Sequence, residues 1–373
     1  MDFTLNSEQQ MLQDSVRRYV DRAYAFETRA AAVKAREGAS ADHWRAFADN
    51  GWLAAALPEA HGGLGGGLVE TALIAHELGR GLVLEPYLGC AVVAAQTLAA
   101  AGTAGQKERL LPALADGSLR IALAYSEPAS RGMPLPVATS AKPHNNGYVL
   151  SGRKSLVLSG LLAQHYIVSA HIEGAPADEI SLFLVDADAA GLQRHALPLH
   201  DGSWAEELVL EGVQQAGDAV IGEPGRGLPA LQAGLAHGIV TLCAELVGAM
   251  EKVIELTADY LRTRQQFGLP IGSFQALQHR IADMATEMET ARSMLYAALA
   301  SMESDDAAAR QRTRSAAKAL IARAAKFVCG QGIQLHGGIG VTEEYVIGHY
   351  FKRAVVAELQ LGSIDRHEAA CTA

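Results

Sequence analysis

Two stretches of this chain carry residue types suited to binding phosphate. In the first, Arg264 is followed by Phe267-Gly268 and then Gln275; in the second, Gln334 precedes Gly337-Gly338. A guanidinium is a rigid fork of N–H donors that matches a phosphate or pyrophosphate in pairs of bonds. Adjacent glycines let the backbone approach such a group closely, because no side chain intervenes. Gln275 and Gln334 can each donate and accept hydrogen bonds. Plainer roles exist for the same residues: a surface ion pair for Arg264, and a helix-ending turn for Gly337-Gly338, which is compatible with phosphate binding. Groups able to take a proton are spread along the chain. Glu358 and Asp365 flank the apolar Leu361, and His237 has the chemistry of a base but equally suits a capping or packing role at a helix start. Cys90, Cys243, Cys329 and Cys371 are scattered without paired spacing, which reads as isolated thiols rather than disulfides or metal ligands.

The elements that must position these groups change along the chain. The first part reads as helices. Asn6-Ser7 suits a cap for a helix from Glu8, with Met11, Leu12, Val16 and Tyr19 on one face. Asp42 to Gly51, Val69 to Gly79 and Leu84 to Ala101 have helical composition, and the glycine-rich run 58–67 reads as a loop. From Ile121 the pattern alternates. Ile121-Tyr125, Tyr148-Leu150, Tyr166-His171, Ser181-Val185 and Glu207-Leu210 read as strands, with turns at Asn145-Asn146-Gly147 and Asp201-Gly202. Helical spacing then returns in three stripes. These are Ile239 to Tyr260; Ile281, Met284, Met288, Ala291, Leu295 and Leu299; and Leu320, Ala324, Phe327, Cys329 and Ile333. Long amphipathic helices with short connections pack as an antiparallel bundle, with the Met residues as core filler. Glu303-Ser304-Asp305-Asp306 reads as a solvated loop. The expected order is a helical domain (1–120), an antiparallel β-domain (121–224) and a four-helix bundle (225–373), an α+β fold.

The motifs resemble those of the acyl-CoA dehydrogenase superfamily across essentially the whole chain. The run from Arg264 through Phe267-Gly268, Ile271, Phe274-Gln275 and Gln278 to Ala282-Asp283-Met284 is similar to one signature, and Gln334 to Tyr345 to a second. Tyr125-Ser126-Glu127-Pro128, Gly147 to Lys154 and Pro58 to Gly63 are similar to three more. The resemblance implies FAD held by Ser126, Arg264, Phe267, Gln275, Gln334, Gly337 and Gly338, with groups contributed by adjacent subunits. It also implies an acyl-CoA thioester substrate, and an electron acceptor such as an electron-transfer flavoprotein. Family chemistry removes a proton from Cα and sends a hydride from Cβ to the flavin, so it needs a carboxylate beside the thioester.

That carboxylate is where the chain departs. The usual position falls on Leu361, and the alternative on the first bundle helix falls on Gly238, so the catalytic group is unknown. Leu156 and Leu158 stand where the family commonly has Trp and a flavin-bonding Thr. Arg131-Gly132-Met133 replaces a segment that helps seat the CoA, while Ser126 keeps a hydroxyl toward the flavin pyrimidine. The chain is similar to the small subunits of heteromeric pimeloyl-CoA-dehydrogenase-like and steroid-side-chain-dehydrogenase-like enzymes, in which a homologous partner supplies the base.

The readings, in order, are a base-lacking subunit of a heterotetrameric oxidoreductase of lipid or fatty acid degradation, a homo-oligomeric dehydrogenase with a relocated base, and a non-catalytic flavin-binding interaction protein. A formal net charge of -10 opposes a nucleic-acid partner. The polar Met1-Asp2-Phe3-Thr4 start lacks a secretory pattern, and the apolar run Ala91 to Ala101 is broken by Gln96, so no membrane span and a cytoplasmic location are expected.

Overall fold

The computed structural model describes residues 4–35 and 38–372, so the reading made on Met1-Asp2-Phe3 lies outside the described residues. Helix α1 (Ser7–Ala23) starts with a reciprocal cap: Asn6 accepts from the Gln9 backbone N–H, and the Gln9 side chain accepts from the Asn6 N–H. Its buried face is Val16 and Val20, whereas Met11 is 62% exposed, so the expected stripe is rotated toward Val20. Helices α2 (Phe26–Ala35), α3 (Ala41–Asp49) and α4 (Leu68–Arg80) follow. The apolar run after Leu84 begins as a π-helical segment, Tyr87–Ala94, and continues as α5 (Ala95–Ala101). Helix α6 (Ala104–Ala115), which the sequence reading did not separate, is capped reciprocally by Thr103 and Gln106.

The middle region is one seven-stranded sheet. Its strands are β1 (Ile121–Ala124), β2 (Ser140–His144), β3 (Gly147–Leu158), β4 (His165–Ile172), β5 (Ile180–Asp186), β6 (Leu192–Pro198) and β7 (Trp204–Ala216), in the order β1-β4-β2-β3-β7-β6 with β5 on β4. Asn145-Asn146 makes the tight β2–β3 hairpin, with His144 paired to Gly147 and Asn145 at positive φ. The sheet expected to be antiparallel is mixed, because β4 pairs in parallel with both β1 and β2; the other pairings are antiparallel. The core on this sheet includes Leu150, Tyr166, Val168, Phe183, Leu208 and Val213.

Next along the chain come α7 (Gly227–Thr263), a hairpin of the two-residue strands β8 (Gln265–Gln266) and β9 (Leu269–Pro270), α8 (Gln275–Ser301), α9 (Ala307–His336), α10 (Ile347–Leu359) and α11 (Ile364–Thr372). Met250, Met284 and Met288 are buried as core, but Phe327 of the third expected stripe is 39% exposed, with Val328 buried in its place. The acidic run before α9 is exposed, and Asp306 also caps that helix by accepting from Ala308 and Ala309. By length and composition α7 could cross a membrane, but 83% of its most apolar window is buried in the protein, as in a core helix.

Contacts divide the chain into two compact units. One comprises residues 1–31, 72–83 and 239–373; the other comprises 32–71 and 84–238. In the first unit, α4 meets α7 so closely that a Cβ on Gly79 would lie 2.0 Å from the Glu245 carbonyl oxygen, and one on Gly248 would lie 1.9 Å from that of His76. Glu77 in this unit is held down to about 2: burial works to raise it, but hydrogen bonds from His76 and Arg17 outweigh that.

Candidate functional site

In the first unit the phosphate-binding candidates lie on two stretches that neighbouring residues link. Arg264 follows the last residue of α7, and its carbonyl accepts from the Ile271 N–H at 2.8 Å, closing the β8–β9 hairpin. The hairpin turn is Phe267-Gly268, both at positive φ (55° and 79°), as a type I′ turn requires. This holds Phe267 out at the tip, 92% exposed, with an edge contact to the Phe274 ring at 6.1 Å. Gln275 opens α8 and is exposed.

The second stretch arrives beside the first. One turn before Arg264, the Tyr260 ring stacks on His336 at 4.4 Å, and His336 is the last residue of α9. Arg280 of α8 donates to Gln331 of α9 at 2.7 Å. Gln334, Gly337 and Gly338 are exposed at this end. Gly337 has φ 66°, which ends the helix and favours glycine, so the helix-ending reading holds for that residue. Among the described residues, a Cβ added at Gly337 or Gly338 would meet nothing within 4 Å, so their packing does not call for glycine at 338. His336 donates through Nδ1 to the Gly332 carbonyl at 2.7 Å, leaving Nε2 as a buried acceptor with no partner among the described residues. The side chains of Arg264, Gln275 and Gln334 likewise have no hydrogen-bond or ion-pair partner among the described residues. An exposed guanidinium, two exposed amides, an open glycine and a buried acceptor thus lie on linked segments, and their chemistry fits the phosphates and adenosine of a dinucleotide.

The expected base positions are of another kind. Leu361 is 5% exposed at φ 58°. Its carbonyl accepts from Nε2 of buried His367 at 2.9 Å, and His367 Nδ1 accepts from the Ser315 hydroxyl at 3.3 Å. Burial drives His367 down to about 4, with Lys318 and Arg314 adding to the effect. The fully buried Lys318 donates to the carbonyls of Ala357 and Glu358 at 2.7 and 3.1 Å, ending α10. The Glu358 carboxylate pairs with Lys326 at 2.6 Å, and Asp365 is exposed in the first turn of α11. His237 is not at a helix start: it lies well inside α7, beside buried Gly238. The capping role therefore falls away.

In the second unit, the buried Ser126 hydroxyl accepts from the Gly132 N–H at 3.1 Å, and its carbonyl accepts from Ser155 at 2.8 Å. Arg131-Gly132-Met133 belongs to the turn that Ser126 pins. The β3 ladder shifts register between Lys154 and Val157, and Leu156 sits in that bulge at φ 51°, 45% exposed; Leu158 is half-buried.

Two features escaped the sequence reading. Glu127 and Lys154 form a buried ion pair at 2.6 Å. Glu85 is 8% exposed and accepts from the Ser40 N–H at 3.0 Å, while its Oε2 has no partner among the described residues, and burial raises this carboxyl to about 7. Neither stands out locally, because the partners are distant in sequence or missing. Cys90, Cys243, Cys329 and Cys371 are free thiols, and among the described residues no cluster of His, Cys, Asp and Glu could hold a metal.

Comparison with known proteins agrees across the chain. Residues 6–118, 122–213 and 225–370 match the models described as acyl-CoA dehydrogenase N-terminal, middle and C-terminal domains. The chain is 31% identical to the mitochondrial isovaleryl-CoA dehydrogenase of Solanum tuberosum, over 86% of this chain and 79% of that protein. Among solved structures it is similar to a variant of the Tcur3481-Tcur3483 steroid ACAD, with 33% identity, TM-score 0.87 and coverage of 99% of this chain and 98% of that one. It is also similar to the ChsE4-ChsE5 complex from Mycobacterium tuberculosis, with 28% identity, TM-score 0.90 and coverage of 99% and 97%.

Proposed function

The chain belongs to the acyl-CoA dehydrogenase family, and from that premise we propose that it serves as a base-lacking subunit of a heteromeric, FAD-dependent acyl-CoA dehydrogenase. The bound flavin would supply hydride acceptance. Arg264, Gln275, Gln334 and the Gly337-Gly338 backbone would hold its phosphates and adenosine, with Phe267 packing against it from the hairpin tip. Ser126 would face the pyrimidine edge. This grip accepts charge and shape but moves no proton.

The observation that carries the reading is Leu361. The position where the family resemblance puts the base is Leu361, which is buried, and the nearest carboxylate in sequence, Glu358, is tied to Lys326. A leucine cannot take a proton, so the acid–base step falls to a homologous partner subunit. The similarity to the two-component Tcur3481-Tcur3483 steroid ACAD and to the ChsE4-ChsE5 complex supports this arrangement. On the same reading, the substrate is an acyl-CoA thioester, reducing equivalents pass to an acceptor such as an electron-transfer flavoprotein, and the enzyme works in the cytoplasm in lipid degradation. To test it, the chain is expressed alone and with a homologue that keeps the carboxylate, and flavin content and acyl-CoA-dependent dye reduction are measured. Turnover should require both chains; full turnover from this chain alone would contradict the proposal.

Glu85 favours a second reading, a homo-oligomer with a relocated base. A buried carboxyl raised to about 7, with one oxygen unpartnered among the described residues, has the character of a general base at neutral pH. If that reading holds, Glu85→Gln abolishes turnover in the chain expressed alone.

A further inference from the structure

Within the second unit, four pieces of chain meet at one carboxylate. Glu127, 3% exposed, accepts from the Ala138 N–H (2.6 Å), the Thr139 N–H (3.0 Å), the Thr139 hydroxyl (2.7 Å) and the Lys154 ammonium (2.6 Å). Lys154, fully buried, donates a second bond to the Ser169 hydroxyl of β4 at 3.0 Å. The pair therefore ties together the segment after β1, the approach to β2, strand β3 and strand β4. Burial alone would raise Glu127, but the charge and hydrogen bond of Lys154 outweigh it. Lys154 in turn is lowered by burial to about 8.

The neighbours of these two residues give the pair its purpose. Ser126 precedes Glu127 in the chain, and Ser155 follows Lys154; the Ser126 carbonyl accepts from the Ser155 N–H. Lys154 is also the last β3 residue in register, opposite Leu208, before the bulge that turns Leu156 outward. Gly152 fits the same corner, since a Cβ there would lie 2.6 Å from the Thr139 hydroxyl oxygen. A displaced ammonium would carry Ser155, the bulge and, through the Ser155–Ser126 bond, the Ser126 hydroxyl with it. A buried ion pair is a poor way to gain stability alone, since apolar replacements often do as well. Its bonds here go to fixed points on four segments, which suits a role in setting geometry.

We propose that Glu127 and Lys154 are a positioning pair that sets the flavin-facing rim of the middle sheet, by fixing Ser126 against the β3 bulge. This rests on the reading that Ser126 and the bulge face the flavin ring.

The test compares wild type, Lys154→Met, Lys154→Arg and Ser169→Ala, each with FAD and in the assembly that wild type forms. The readouts are thermal midpoint, FAD dissociation constant, the shape of the visible flavin band and the flavin reduction potential. Lys154→Met should still take up FAD, with an altered visible band, a shifted potential and binding weakened by about 3- to 10-fold. Lys154→Arg should restore the band in part. Ser169→Ala removes only the second lysine bond, so it should move the same spectral features less, and it carries the test if Lys154→Met does not fold. A wild-type band and potential in Lys154→Met, or in Ser169→Ala if Lys154→Met does not fold, would overturn the pair's role whatever happens to the thermal midpoint. A wild type that takes up no FAD, alone or with a partner, overturns the flavin reading on which the pair depends.

Discussion

At one end of the bundle, polar groups are turned away from the chain; at another, they are used up within it. Around the hairpin, Arg264, Gln275 and Gln334 are exposed with no side-chain partner among the described residues, and Gly338 faces open space. Around Leu361, by contrast, Lys318 is spent on the carbonyls of Ala357 and Glu358, His367 on Leu361 and Ser315, and Glu358 on Lys326. Arg314, whose buried Nε has no partner among the described residues, is the exception there. Unsatisfied donors at a surface cost little and are ready for a ligand, whereas buried groups must be satisfied locally. The first region leaves its polar groups available to something outside the chain, and the second spends them on completing the fold.

The largest expected effect lies in the closed region. His367 is lowered from its ordinary value near 6.5 to about 4, chiefly by burial. A depressed folded value means its contribution is complete above pH 6.5 and is lost as pH falls toward 4; that loss amounts to about 3 kcal/mol by linkage. His367→Gln, which can keep both hydrogen bonds, should flatten the fall in melting temperature across that window relative to wild type. An unchanged slope would mean that this histidine is not held neutral by the fold.

Next comes Arg264→Ala. Loss of a charged hydrogen-bond donor should weaken FAD binding by about 1.5–3 kcal/mol, on the order of 10- to 100-fold, with little change in the melting temperature of the FAD-free protein. Equal FAD affinity in the variant would break the comparison at its open end.

Two glycines sharpen it further. A Cβ at Gly332 would lie 2.8 Å from Val253 Cγ1, so Gly332→Ala should cost about 1–3 kcal/mol of stability and leave FAD affinity intact in the folded fraction. Gly338→Ala should do the reverse: stability within about 0.5 kcal/mol of wild type, and FAD binding weakened about 10-fold. Thermal melts and fluorescence titrations separate the two patterns. The smallest effect belongs to Glu358→Gln, which breaks a partly exposed pair worth about 0–1 kcal/mol and should leave turnover of the assembled enzyme unchanged. Loss of turnover would restore Glu358 as a candidate base.

What was legible in the sequence tracks how local each signal is. Asn6 and the Asn145-Asn146 turn declare themselves within a few residues, and the structure has both; Phe267-Gly268 was read only as part of a motif, and the structure makes it a hairpin turn. Strands β2 and β6 do not: β2 carries Pro143 and exposed polar residues, and β6 is an exposed edge with no apolar alternation. The parallel pairings of β4 depend on connections that no local pattern reports. The open region was legible as a motif. The closed one showed only as a missing carboxylate, because the roles of Lys318, His367 and Glu358 rest on partners brought in from elsewhere in the chain.

The most direct measurement uses the complex of this chain with a homologous subunit that bears the carboxylate, reduced anaerobically with an acyl-CoA that the complex turns over. In a version where that partner carboxylate is replaced by glutamine, FAD should be retained and bleaching of the flavin band by the acyl-CoA should vanish entirely. Bleaching that persists in part of the flavin would show that this chain supplies a base of its own, and would contradict the assignment of Leu361 as a position where proton abstraction has been given up.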